Sequence, residues 1–195
     1  MSFINEFERH SWQQMGEQIY SKTTADVERA LNHQGKKSLD DFCALVSPAA
    51  EPYLEQMAQL SYQLTRKRFG NTTQLYIPMY LSNECHNICT YCGFSVDNKI
   101  DRLTLNKEQL MQEVKQIKKI GFDHILLVTG EANRQVGVDY FAQALDWIRP
   151  HFSSISIEVQ ALEQNEYERL IQHGLNSVMI YQETYNDHTY KSYHP

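Results

Sequence analysis

Strand-like apolar runs alternate with helical patterns along the second part of the chain. The run HILLVTG at 124–130 is apolar almost throughout, as in strands whose two faces are both covered. Similar runs predict further strands at 74–81, 154–160 and 176–183, and amphipathic patterns predict helices at about 107–120, 140–148 and 165–174. Strict alternation of this kind indicates right-handed crossovers and a parallel sheet, so we predict an α/β fold.

Two fold architectures are compatible with this alternation of strands and helices. An eight-stranded (βα) barrel and an open doubly wound sheet are both built from such units, and four strands alone do not separate them. A complete barrel takes about 250 residues, whereas only about 120 residues follow Gly70. The chain also stops at KSYHP without a closing helical pattern. We therefore expect a partial TIM-type (βα) barrel of about four parallel strands, truncated relative to the complete fold.

The first 70 residues predict helices and contain no strand-like alternation. Ser38 followed by Asp41 resembles a capping box, and Thr24 is a candidate cap for a shorter helix. The expected helices are Phe3 to about Tyr20, Thr24 to about Asn32, a segment after Ser38, and a longest helix from Pro48 to Gly70. We therefore predict an N-terminal helical extension at 1–70 and an incomplete barrel domain at 71–195.

Charge and hydrophobicity argue against several classes of partner. The 195 residues carry a formal net charge of -6, which provides no basic surface for nucleic acid. The N-terminus lacks the apolar core of a secretion signal, and no segment approaches the roughly 18 consecutive apolar residues of a membrane span. We expect a cytoplasmic protein with no nucleic-acid or membrane partner. Clustered cysteines in that compartment are more often metal ligands or catalytic groups than disulfide partners.

Three of the four cysteines, Cys85, Cys89 and Cys92, lie in the segment ECHNICTYCGF directly after the first predicted strand. Their spacing also fits one stripe of an amphipathic helix, although the polar residues around them make a poor helix and a poor core. A structural zinc site would need a fourth ligand, for which His86 and Cys43 are the candidates. An iron–sulfur cluster is normally held by four thiolates, so three would leave one iron open to a small molecule.

The segment resembles the cluster loop of the radical S-adenosylmethionine superfamily. Cys85, Cys89 and Cys92, with the aromatic Tyr91 before the last cysteine, match the CxxxCxxC motif of that family. The resemblance implies that the three thiolates hold a 4Fe-4S cluster and that the amino and carboxylate groups of S-adenosylmethionine chelate the open iron. It further implies that electron transfer cleaves this cofactor to methionine and a 5'-deoxyadenosyl radical.

Two other strand ends resemble cofactor-binding segments of the same family. TGE at 129–131 stands where the family has a GGE-like motif, and Thr129 departs from its first glycine. The resemblance implies that Gly130 and Glu131 meet the amino group of the cofactor. Glu158, on the third predicted strand, would point into the barrel and reach cofactor or substrate, or it would be an acid held in a salt bridge there.

The helical extension together with CHNICTYCGF, LLVTGE, IEVQAL and YQETY resembles the aromatic amino acid lyase branch, and within it the tyrosine lyases of thiamine thiazole formation. The resemblance implies cleavage of the Cα–Cβ bond of L-tyrosine to dehydroglycine and p-cresol, with 5'-deoxyadenosine and methionine as co-products. It implies thiazole synthase as the partner that takes up dehydroglycine, and flavodoxin or ferredoxin as the reductant.

Two alternatives remain open at this level. The related tyrosine lyase that matures iron hydrogenase shares the cysteine motif, and a non-catalytic metal-binding fragment would also retain the three thiols. Gln182, Glu183 and Tyr185 are expected at the mouth of the fourth strand, where active-site residues of such barrels collect, but the sequence assigns them no individual roles. We expect little or no activity from half a barrel by itself.

Overall fold

The computed structural model describes residues 3–195, which separate into two compact units, one ending at Thr72 and the other comprising Thr73–Pro195. The described part of the first unit is helical. Its elements are α1 Phe3–Phe7, α2 Trp12–Tyr20, α3 Thr24–Asn32, α4 Leu39–Leu45, a 3₁₀ helix Pro48–Tyr53, and α5 Leu54–Phe69. Its core contains the buried residues Val27, Ala30, Ala44 and Ala50.

Two of the predicted helices are divided in the structure. The first is interrupted before α2, where the Ser11 side chain accepts a hydrogen bond from the Gln14 amide at 3.1 Å and begins a new helix. The long helix begins as a 3₁₀ helix containing Pro52, which has no N–H to donate, and becomes α-helical only at Leu54. It ends at Gly70, whose φ of 66° suits glycine. No helix in the described part of the chain is long and apolar enough to cross a membrane. The longest of the helices in this unit, α5, has 16 residues.

Capping boxes begin α3 and α4. Thr23, and not the predicted Thr24, caps α3, and its partner is Asp26. The predicted box of Ser38 and Asp41 at α4 is confirmed: Asp41 Oδ2 accepts from the Ser38 amide at 2.8 Å while Ser38 Oγ accepts from the Asp41 amide at 3.1 Å. Each box satisfies two backbone donors that a helix start leaves without partners.

The second unit alternates strands and helices around one parallel sheet. Its elements are β1 Ile77–Ser82, α6 Lys107–Lys119, β2 His124–Thr129, α7 Val138–Ile148, β3 Ser154–Glu158, α8 Gln164–Gln172, β4 Ser177–Met179 and α9 Asp187–Tyr193. The spatial order is β1-β2-β3-β4 and every neighbouring pair is parallel. A doubly wound sheet reverses its strand order at a switch point, whereas a barrel does not. The order therefore confirms an α/β fold with the arrangement of a partial (βα) barrel.

All three crossover helices pack on one face of the sheet. Buried strand residues such as Leu81, Leu127 and Ile157 share a core with Leu110 of α6 and Phe141 of α7. Since successive strand residues point to opposite faces, the residues between them lie on the face that these helices leave open. One row across that open face consists of Tyr80, Val128, Glu158 and Met179, as the strand register shows.

The end of the chain differs from the sequence prediction in two ways. β4 has three residues, so most of the predicted strand at 176–183 lies outside the sheet. The expectation of no closing helix was wrong, because α9 follows β4. The Asn186 side chain begins this helix by accepting a hydrogen bond from the Thr189 amide at 2.9 Å. Asparagine is a favoured N-cap, so this signal was present in the sequence.

Candidate active site

The segment 83–103, which we call the cysteine loop, follows β1 and carries Cys85, Cys89 and Cys92. All three thiols are free and partly exposed. Burial raises the pKa of the Cys89 thiol, and the neighbouring Cys92 and Cys85 raise it further. Cys43, the remaining cysteine, is buried in α4.

The donor set suits a cluster better than a single ion. Within residues 3–195, no three His, Cys, Asp or Glu side chains are arranged to hold one metal ion. Zinc needs four ligands that converge on one point at about 2.0–2.3 Å. The thiolates of an iron–sulfur cluster instead bind different irons, so they surround a larger volume without converging. Three free thiols on one loop supply ligands for three of the irons of such a cluster.

Gly130 brings the end of β2 against the start of the cysteine loop. Its amide lies 3.4 Å from the Ser82 carbonyl oxygen at the end of β1. A Cβ at this position would lie 2.9 Å from Cys85 Cβ and closer still to the Glu84 carbonyl oxygen. Only glycine therefore permits this approach. The adjacent Thr129, the departure from the family motif, has a buried hydroxyl without a hydrogen-bond partner among the described residues.

Glu131 holds the cysteine loop from the same side. Its carbonyl oxygen accepts a hydrogen bond from the His86 amide at 3.0 Å, and its Oε2 accepts one from Asn87 Nδ2 at 2.5 Å. The Asn87 carbonyl in turn accepts from the Val96 amide at 3.0 Å. In the described part of the chain, Oε1 of Glu131 makes no hydrogen bond, so one carboxylate oxygen is available for a cationic group of a ligand. These features fit S-adenosylmethionine, whose amino group is cationic.

The C-terminal helix also contacts the cysteine loop. Tyr91 Oη lies 2.7 Å from His194 Nε2, and the Thr90 amide donates to the Tyr193 carbonyl oxygen at 3.0 Å. Burial, followed by the nearby Glu183 carboxylate, raises the pKa of Tyr91. Glu183 Oε2 is also 3.8 Å from His194 Nε2. The structure thus brings the YQETY segment to the cysteine loop through Glu183.

The other sequence candidates are more distant from these contacts. Glu158 lies on the open face in the same row as Tyr80, whose ring packs against Phe94 of the cysteine loop at 5.6 Å. Across residues 3–195 the Glu158 carboxylate makes no salt bridge or hydrogen bond, so the salt-bridged alternative is not observed. Gln182 Nε2 donates to the Thr184 carbonyl oxygen at 2.9 Å, within its own segment. Tyr185 is half exposed.

Sequence reasoning missed the polar residues that shape the cysteine loop. Asn83 Oδ1 accepts from the Leu103 amide at 2.7 Å, and Asn83 Nδ2 donates to the Asp101 carbonyl oxygen at 2.8 Å. Arg102 lies between Asp101 and Leu103 in the sequence, and its guanidinium donates hydrogen bonds to several backbone carbonyl oxygens of the loop. Neither residue belongs to a motif or a periodic pattern, so only an interest in side chains that bond to backbone in loops could have singled them out.

Comparison with known proteins places these features in a family. A sequence profile described as the Radical SAM superfamily matches residues 79–195. The chain is 50% identical over 193 residues to 2-iminoacetate synthase of Escherichia coli (strain K12), covering 99% of this chain and 51% of that protein. It is 28% identical over 154 residues to 3-methylornithine synthase of Methanosarcina acetivorans, covering 78% and 44%.

A solved structure shares the fold. The crystal structure of HydG, a maturase of the [FeFe]-hydrogenase, superposes with a TM-score of 0.85 at 23% identity, over 95% of this chain and 44% of that one. The chain spans about half the length of the curated relatives that it matches. Members of the matched superfamily bind a 4Fe-4S cluster and S-adenosylmethionine, which confirms the two expected cofactors. The chain belongs to the radical S-adenosylmethionine superfamily.

Proposed function

We propose that this chain forms part of a tyrosine lyase that cleaves the Cα–Cβ bond of L-tyrosine to 2-iminoacetate (dehydroglycine) and p-cresol for thiamine thiazole formation. The observation that carries the proposal is the 50% identity to 2-iminoacetate synthase over 99% of this chain. That similarity includes the helical unit as well as the cysteine loop. The likeness to the hydrogenase maturase, at 23% identity, supports the fold and not a choice of product.

Cys85, Cys89 and Cys92 would hold the cluster, since they are the three free thiols on one loop. When bound, the cluster and S-adenosylmethionine supply reductive one-electron chemistry with 5'-deoxyadenosine and methionine as co-products. Gly130 would keep the end of β2 close to the first cysteine, and the free oxygen of Glu131 would accept a hydrogen bond from the amino group of the cofactor. Tyr91, tied to His194, would fix the orientation of the loop beside the last cysteine.

The remaining candidates are acids near the carboxyl ends of β3 and β4. Parallel strands collect functional residues at their carboxyl ends, and Glu158 is the last residue of β3. Its carboxylate lies on the open face and makes no hydrogen bond or salt bridge within residues 3–195, which suits a polar contact to cofactor or substrate. Glu183, near Cys89 and Tyr91, would add a second acid at the same end of the sheet. We propose both as contacts for the cationic amino group of an amino acid or cofactor.

The proposed partners follow from the reaction. An electron must be supplied from outside the chain, and flavodoxin or ferredoxin would supply it. The dehydroglycine product would pass to thiazole synthase. We place the reaction in the cytoplasm, where reduced thiols persist.

The test is anaerobic reconstitution of the full-length protein with iron and sulfide, followed by assays with S-adenosylmethionine, reductant and L-tyrosine. We expect p-cresol to form, and the electron paramagnetic resonance spectrum of the reduced cluster to change when S-adenosylmethionine is added. Cys89→Ala should lose both the cluster and p-cresol, whereas the matched control Cys43→Ala should retain them. Stoichiometric zinc without iron would refute the cluster, and cyanide or carbon monoxide among the products would assign the maturase reaction instead.

A further inference from the structure

Arg102 joins the segment before Cys85 to the segment after Cys92. Its Nη1 donates to the Asn83 carbonyl oxygen at 2.6 Å and to that of Phe94 at 2.8 Å. Its Nη2 donates to the Ser95 carbonyl oxygen at 2.8 Å and to that of Asn98 at 3.2 Å. Asn83 precedes the first cysteine by two residues, and Phe94 follows the last by two. One half-buried guanidinium thus bonds to backbone on both sides of the thiols.

The guanidinium of Arg102 is charged, but its hydrogen-bond acceptors are neutral. No carboxylate in the described part of the chain forms an ion pair with it, so all the observed acceptors are neutral carbonyl oxygens. A guanidinium offers five N–H donors in a rigid plane, which lets one side chain serve several acceptors in fixed directions. A lysine ammonium is a single point on a flexible stem and cannot reproduce that pattern. The geometry therefore requires the shape of arginine as well as its charge.

The acceptors are connected directly to Cys92. The Phe94 amide donates to Cys92 Sγ at 3.4 Å, and the Ser95 amide donates to the Cys92 carbonyl oxygen at 3.1 Å. Asn98 Nδ2 donates to the same carbonyl oxygen at 3.1 Å. Displacement of Phe94 or Ser95 would therefore move the last thiol. Arg102 acts on the thiol through these residues and does not touch it.

The backbone beside Arg102 is itself held in place. The Asn83 amide donates to the Leu103 carbonyl oxygen at 3.2 Å, and the Leu103 amide donates to Asn83 Oδ1 at 2.7 Å. The guanidinium therefore extends from an anchored base toward the turn that carries Cys92. We infer that Arg102 is a positioning residue, which ties the segment before Cys85 to the segment after Cys92 and so sets the spacing of the cluster-binding thiols.

The inference depends on the loop binding a cluster and not on the identity of the substrate. Its test uses the full-length protein with Arg102→Gln, Arg102→Lys and, as a control, Arg149→Gln, which replaces an exposed arginine of the same unit. Hydrogen exchange of the cluster-free protein measures the loop directly. The rate at which a chelator removes iron from the reconstituted protein measures how well the loop holds the cluster.

In Arg102→Gln we expect exchange over 83–103 to accelerate by about tenfold or more, as for loss of a hydrogen bond to a charged group, while exchange in β2 and β3 is unchanged. Iron loss should accelerate by a similar factor, and Arg102→Lys should not restore either value. The proposal is overturned if Arg102→Gln matches the wild type or if Arg102→Lys restores it fully. It is also overturned if both variants unfold the sheet, since Arg102 would then support the whole unit. Failure of the wild-type protein to form p-cresol would refute the proposed reaction alone, because neither loop exchange nor the rate of iron loss depends on the substrate.

Discussion

Replacing Gly130 by alanine tests how closely β2 must approach the cysteine loop. The added Cβ would lie 2.9 Å from Cys85 Cβ and 3.1 Å from the Glu84 carbonyl carbon, with the carbonyl oxygen nearer still. Ordinary carbon–carbon contacts are about 3.5–4.0 Å, so the loop would have to move by about 1 Å. Two of these neighbours are backbone atoms, which cannot rotate away as the end of a side chain can.

The size of the effect follows from that displacement. Forcing an extra methyl group into a packed site costs about 1–3 kcal/mol in the free energy of unfolding. For a chain of this length, each kcal/mol lowers the thermal midpoint by about 2–4 °C, so we expect a decrease of about 2–12 °C. The displaced residue carries the first cluster thiol. A displacement of about 1 Å in a reacting geometry reduces a rate by about 10²-fold, so the p-cresol formation proposed for the full-length protein should decrease by that factor.

Thermal unfolding, iron content and p-cresol formation should be measured on Gly130→Ala beside Gly16→Ala in the full-length protein, because half a barrel is expected to show little activity. Gly16 lies in α2, and no atom lies within 4 Å of the place that an added Cβ would take, so its replacement should leave all three quantities unchanged or raise the midpoint slightly. A wild-type midpoint together with wild-type iron content in Gly130→Ala would show that this contact is not tight, and would refute the reasoning.

Three further predictions concern other contacts, two within the second unit and one within the helical unit. Asn87→Ala removes a hydrogen bond worth about 1.5–3 kcal/mol that orients the Glu131 carboxylate, so S-adenosylmethionine should bind up to about tenfold more weakly in equilibrium dialysis, whereas Asn165→Ala, at an exposed position of α8, should have no effect. Tyr91→Phe removes the hydrogen bond to His194, the residue that follows α9, worth about 1 kcal/mol, so hydrogen exchange in 187–193 should accelerate about fivefold while iron content stays normal; unchanged exchange would contradict this prediction. Hydrogen bonds from the Thr23 side chain and backbone lower the pKa of Asp26 from 3.8 to about 2, so its stabilisation of the helical unit is complete above about pH 4 and is lost as the pH falls toward 2. Asp26→Asn should make the thermal midpoint less sensitive to pH in that window, and an identical pH profile would exclude the contribution.

The sequence predicted the architecture of the second unit because burial leaves a periodic trace. The apolar run at β2 and the stripe of Leu110, Val114 and Ile117 on α6 both reflect packing in the core of the unit, and both were found. The order of the strands in the sheet produces no such periodic pattern in the sequence. Barrel and doubly wound sheet use the same units, so only the pairing of β1, β2, β3 and β4 in sequence order separated them.

The parts that the sequence did not predict depend on single side chains that bond to backbone. Ser11 and Asn186 begin helices through one hydrogen bond each, and Pro52 changes the form of a helix without ending the helical segment. In the candidate site, the cysteine spacing identified the thiols, because cluster ligands need particular residue types. The role of Arg102 depends only on where its guanidinium lies relative to backbone carbonyl oxygens, and no motif spacing predicts that position.

The contact between the cysteine loop and α9 has a consequence for synthesis of the chain. Tyr91 and His194 are 103 residues apart, and ribosomes add about 5–20 residues per second. The loop therefore exists for about 5–20 s before the residue that binds Tyr91 has been made. During that interval the thiols are already present on a loop that the contact between Tyr91 and His194 does not yet restrain.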